Sequence, residues 1–220
     1  MIMKKFLVVA ATLLVTSGVA FGQKVKVTTC FNAMESYKRE KDPADLAKAK
    51  LNIDAASIHD DTKGDAKTWF YRGNVYLALY QADFAAKMAS ITDVADAGKK
   101  QSMAYAGTPT ANIIEATNAY LKAKALDKVE VYDGIGRGLA DCYFFTQNIG
   151  IANYNQEKYA DAYPMFDLAI SISSSNGITD TLNINNAAVS AMNGKMHEKA
   201  ISHFKKLTEI GYGKGNTFLL

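Results

Sequence analysis

Three histidines, two cysteines and one glycine-rich run are where catalysis or metal binding would have to begin in this 220-residue chain. His59 is followed by Asp60 and Asp61, a polar group in a turn-rich stretch that binds a cation weakly at best. His197 and His203 fall on one late helix, but six residues of helix turn them to different faces, so they cannot share a metal. Neither belongs to an HExxH arrangement. All three are expected to be solvated surface groups. Gly134, Gly136 and Gly138 resemble a phosphate loop only superficially. No strand is expected before them, and the Lys-Ser/Thr pair that grips phosphate is missing. A flexible connector is the expectation. No serine or cysteine is marked by a neighbouring base that would activate it. The expected catalytic, metal and cofactor inventory is therefore empty, and the chain reads as a non-enzyme.

The first 22 residues have the layout of a secretory signal peptide. Lys4 and Lys5 form a basic start, Phe6 to Val15 an apolar core, and Ala20 and Gly22 the small residues before a cleavage site at Gln23. This predicts a periplasmic or secreted protein. Removing the leader takes Lys4 and Lys5 with it and lowers the formal charge from +3 to +1. A near-neutral chain has no long-range pull on nucleic acid or an anionic bilayer. After the leader no apolar run reaches the ~20 residues of a membrane span. Export makes a Cys30–Cys142 disulfide conceivable. The alternative is two small buried residues.

With 49% hydrophobic residues and only three prolines, the rest is expected to be helical around a real core. Apolar period and stop signals predict helices over about 29–41, 44–57, 66–81, 110–127, 139–155, 181–192 and 197–210, with a polar loop at 59–64 and a connector at 129–137. Residues 82–108 interrupt the pattern as an insertion, which either prolongs the preceding helix or forms another. Tyr159–Ile172 is also helical, but Pro164 sits inside it. A proline is tolerated only in a first turn, so this helix is expected to begin at about Asp161, leaving Lys158–Ala160 to the turn. Gly211–Leu220 reads as a turn and the start of one more helix.

One apolar face recurs along the chain. Ala162, Phe166 and Ala169 repeat the spacing of Ala116, Tyr120 and Ala123, and of Ala200, Phe204 and Leu207. Trp69, Gly73 and Tyr76 stand at W-x3-G-x2-Y spacing, and Gly150 and Ala188 supply the corresponding small residue in two later helices. These motifs resemble the tetratricopeptide repeat, in which helix A carries W-x2-L-G-x2-Y and helix B the alanine–aromatic face. Arg72 stands where that pattern has leucine, and Asn153 where it has tyrosine. The resemblance implies an all-α solenoid, a right-handed superhelix of antiparallel helix pairs. The implied repeats are 29–57, 66–127 with the insertion 82–108, 139–175 and 181–210, within one domain spanning 23–220.

In such an array the A helices line a concave groove. The resemblance places Lys67, Phe70, Tyr71, Asn74 and Leu77 there from the first clear repeat. The second contributes Phe144, Gln147, Asn148, Ile151 and Tyr154, and the third Leu182, Asn185, Asn186, Val189 and Met192. Some relatives hold a C-terminal carboxylate with Lys, Arg and Asn at these positions. Asn74 and Asn148 match two of them, whereas Phe70 and Leu182 replace lysines and Asn186 an arginine. The implied function is an exported scaffold that binds a protein or peptide segment. The competing expectation is a small-ligand or glycan binder using residues 82–108 and their aromatics.

Overall fold

A computed structural model of the chain describes residues 24–127 and 132–212. The expected signal peptide, part of the 129–137 connector and the segment after Tyr212 lie outside them. The described residues are all-α, without a strand, in nine helices. These are α1 (24–40), α2 (Pro43–Ile58), α3 (Ala66–Ser90), α4 (Ala97–Gly107), α5 (Ala111–Leu126), α6 (Gly134–Asn155), α7 (Tyr159–Ser175), α8 (Thr181–Asn193) and α9 (His197–Glu209). No helix among them is long and apolar enough to cross a membrane.

The described residues divide into two compact units, one of residues 24–78, 118–127 and 132–135, the other of 79–117 and 136–212. The first is built on Cys30, Ala49, Ile53, Val75, Tyr120 and Ala123, all fully or almost fully buried. Asp42 starts α2 by accepting from the Ala44 N–H at 2.9 Å, and Pro43 takes the first turn, where its missing N–H costs nothing. Arg72, the departure from the repeat pattern, reaches Asp54 on α2 at 2.6 Å and Ser57 at 3.0 Å. Lys50 at 2.6 Å and the Tyr76 hydroxyl at 2.7 Å complete the shell of the same carboxylate. Burial alone would raise the Asp54 pKa, but these partners outweigh it and hold the carboxyl below its ordinary value. Trp69 donates its indole N–H to the Lys63 carbonyl at 2.7 Å and pins the 59–64 loop.

In the second unit α7, α8 and α9 pack as consecutive neighbours. Their core joins Ala162, Phe166 and Ile170 to Ile184, Ala187, Ala188 and Ala191, with Ala200 and Leu207 below. The insertion is helical throughout its length apart from one short link. Its first half prolongs α3 to Ser90, and its second forms α4, capped by the Asp96 carboxylate on the Lys99 N–H at 2.6 Å. Rings hold it down: Phe84 stacks on Tyr105 at 4.6 Å, and Tyr80 meets Phe145 edge-on at 5.0 Å.

The turns show the internal repeat in backbone geometry. Four helices end in the same Schellman arrangement, a left-handed residue with paired hydrogen bonds back to the last turn. At the end of α6 Lys158 donates to Asn153 and Glu157 to Tyr154; at the end of α8, 38 residues later, Met196 donates to Ala191 and Lys195 to Met192. At the end of α7 Ile178 donates to Ser173 and Gly177 to Ser174; at the end of α9, 34 residues later, Tyr212 donates to Leu207 and Gly211 to Thr208. The non-glycine residues with positive φ are Lys41, Glu157 and Lys195, and the next helix starts two residues after each. Gly177, at φ 71° with nothing near its missing Cβ, isolates the conformational part of this motif. Gly177→Ala is expected to cost about 1 kcal/mol from the left-handed conformation alone, read as a lowered midpoint in chemical denaturation with an unchanged m-value.

Two expectations need correction. α7 begins at Tyr159 and not at Asp161, so Pro164 is its sixth residue. The Schellman turn of α6 delivers the chain straight into the new helix, with Asp161 and Ala162 both donating to the Lys158 carbonyl. Pro164 then leaves the Ala160 carbonyl without its helical donor, on an exposed residue where water can serve. The glycine run at 134–138 is the first turn of α6 and not a flexible connector. Gly134 lies against Phe70, whose ring would be 2.7 Å from a Cβ. Of the two readings open for the cysteines, the structure has the second: both are free and buried. Burial pushes each thiol up to about 12, so both are protonated and unreactive at neutral pH.

Candidate functional site

At two places one helix seats against another through a missing side chain opposite a ring. At Gly73 an added Cβ would lie 2.7 Å from the Tyr120 ring, and at Gly150 2.7 Å from the Phe166 ring. In the last pair Ala188 is fully buried in the cluster on which Phe204 packs. This close approach brings the outer faces of α6 and α8 together. Between them lies a groove of about 300 Å³, lined by Ile151, Tyr154 and Asn155 of α6 and by Asn185, Asn186 and Val189 of α8, with Phe166 at its base.

The groove is polar at its rim and apolar below. None of the described residues hydrogen-bonds the side-chain amides of Asn155, Asn185 or Asn186. Tyr154 is fixed from both sides: its ring meets Tyr159 at 5.3 Å, and its hydroxyl accepts from Asn193 at 3.1 Å. Residues 142–155 of α6 carry no charged side chain, and neither does any residue of α8. Farther along these helices Phe144 and Leu182 are more than half exposed (52% and 54%), and Met192 is also exposed.

The expected groove residues separate into three groups. Ile151, Tyr154, Asn185, Asn186 and Val189 converge on the groove just described. Phe144, Gln147 and Asn148 lie farther back on α6, outside its lining; Asn148 donates to the Phe144 carbonyl at 2.7 Å. Lys67, Phe70, Tyr71 and Asn74 belong to the other unit and are engaged there. Phe70 stacks on Tyr132 at 5.6 Å and Tyr71 tilts against Phe31 at 5.5 Å. The Lys67 ammonium is 5.7 Å from the Tyr71 ring centre, and Asn74 accepts from the Tyr120 hydroxyl at 2.7 Å. Sequence reasoning missed Asn155 and Phe166. The first follows Tyr154 in the same uncharged run, and the second was assigned wholly to the core.

A second cluster was also missed. Asp180 caps α8 by accepting from the Asn183 N–H at 3.0 Å, and its other oxygen accepts from Tyr143, Ser173 and the Asn183 amide at 2.8–3.0 Å. Asn183 is completely buried. Burial would raise the Asp180 pKa, but the hydrogen bonds outweigh it and hold the carboxyl below its ordinary value. Both Asp180 oxygens are occupied by the protein, so the carboxylate reads as a cap and a tie between helices. His203 is not a solvated histidine either. Its side chain is 12% exposed, sits 3.3 Å from the Tyr163 hydroxyl, and has its pKa lowered by burial. Among the described residues no three His, Cys, Asp or Glu side chains gather as a metal site.

No protein-family model, curated protein or solved structure matches this chain.

Proposed function

We propose that the chain is an exported, non-catalytic binding scaffold of the tetratricopeptide type, acting in the periplasm or outside the cell, which holds a protein or peptide segment in the groove between α6 and α8. One observation carries this reading. Five residues assigned to a groove from the repeat register alone line a single cleft, and its amides have no partner within the described chain. An apolar base with solvent-facing amides at the rim matches a peptide, which offers side chains to bury and main-chain groups to pair. The buried, protonated cysteines are not available as nucleophiles. The glycan alternative is weakened because Phe84 and Tyr105, aromatics of the insertion, spend their faces on each other.

A library of displayed random dodecamers, panned on the protein without its leader, tests the reading. Enriched peptides are expected to lose at least ~10-fold in affinity, about 1.4 kcal/mol, on Val189→Asp and on the Asn185→Ala/Asn186→Ala pair. The thermal midpoints should stay close to that of the unaltered protein, since all three residues are only half-buried. Enriched peptides that bind both variants unchanged would place recognition elsewhere.

A further inference from the structure

The groove's composition narrows the kind of segment it accepts. Over residues 142–155 and 181–193 there is no Asp, Glu, Lys, Arg or His, although about a fifth of the whole chain is charged. A charged ligand side chain placed here would lose hydration and find no counter-charge. Asn155, Asn185 and Asn186 each offer one acceptor and two donors, the pairing that a peptide main chain needs. Ile151, Val189 and the edge of Phe166 form an apolar base for one buried side chain in a cleft of about 300 Å³.

Resting on the peptide-groove reading, we infer that the α6–α8 groove selects an uncharged polypeptide segment. One aliphatic or aromatic side chain of it enters the Ile151–Val189–Phe166 base, and the Asn155, Asn185 and Asn186 amides pair with its main chain. Recognition is internal to the segment and indifferent to a terminal carboxylate. Electrostatic screening therefore has nothing to act on.

The experiment uses the same dodecamer library, followed by titration of two enriched peptides synthesised with free and with amidated C-termini. The expected consensus has one apolar anchor and is depleted of Asp, Glu, Lys and Arg beside it. Affinity should change less than ~2-fold between about 50 and 500 mM salt, and amidation should leave it unaltered. Asn186→Lys should bring acidic residues into the consensus, and Val189→Trp should fill the base and abolish anchor selection. If Val189→Trp fails to fold, Asn186→Lys still decides the matter. Groove-dependent peptides that are charged, salt-sensitive or carboxylate-dependent would overturn the uncharged-segment inference and leave the peptide groove standing. Peptides that ignore both substitutions, no enriched peptide at all, or groove-dependent retention of neutral oligosaccharides on a glycan array would overturn both.

Discussion

Phe166→Ala is expected to lower the unfolding free energy by about 3–5 kcal/mol, the range for removing a fully buried ring. Phe166 is 1% exposed and packs between the backbone at Gly150 and the alanine face of α8. Neither wall can collapse readily into the vacated space, because both are helical backbone dressed with small residues. The same geometry predicts strong coupling. Gly150→Ala alone drives a Cβ to 2.7 Å from the ring and should cost about 1–3 kcal/mol by overpacking. In the Phe166→Ala background that methyl enters empty space, so the second substitution should cost far less or even stabilise. Denaturant unfolding of the two singles and the double completes the cycle. Additive costs would show that the ring and the glycine are not in direct opposition.

Asp180→Ala is expected to cost about 2–4 kcal/mol. It removes the N-cap of α8, worth ~1 kcal/mol, and strips a charged acceptor from the buried Asn183 amide, a class of bond worth about 1.5–3 kcal/mol. The pH dependence follows from the lowered folded pKa. The carboxylate stabilises the fold fully above its unfolded pKa of about 3.9, and the contribution is lost as pH falls through the lower folded value. Asp54 loses stability in the same direction. Asp180→Asn keeps a capping oxygen but not the charge, so its stability should fall less steeply than that of the unaltered protein as pH drops below the ordinary carboxylate range. Parallel acid limbs for the two proteins would remove Asp180 from the balance.

The legible parts of the fold were those fixed by side-chain period. Gly150 with Phe166, and Gly73 with Tyr120, were readable because a small residue and a ring recur at constant register. Residues 29–57 carried a weaker repeat signal, and the structure supplies the reason. Counting from the left-handed turn residue, Met34 occupies the small position and Lys50 the ring position. The backbone turn at Lys41 remains, while the packing pair that usually accompanies it has become the Lys50–Asp54–Arg72 network. Turn chemistry was the part least visible. Glu157 and Lys195 adopt a conformation usually left to glycine, so nothing in their type announced it. The early start of α7 was missed for that reason. At the groove, helical period found Tyr154, Asn185 and Asn186. It could not foresee that Phe70, Tyr71 and Asn74 would be claimed by Tyr132, Phe31 and Tyr120, since those contacts depend on chain far away in sequence.

α7 is four residues longer than α9, while the turn that ends each helix is the same. Four residues sweep roughly 400°, about 40° beyond a full circle, whereas one residue alone would swing everything downstream by about 100°. The difference in length between α7 and α9 is thus close to one whole turn. A helix can grow or shrink by a whole turn and still present its closing turn, and the helix after it, in nearly the original direction. Asp180 meets Ser173 and Tyr143 across the turn that closes α7, so the angle at which that helix ends decides whether they meet. Single-residue insertions within α7 are therefore frame errors in three dimensions, although they leave the apolar content of the helix untouched.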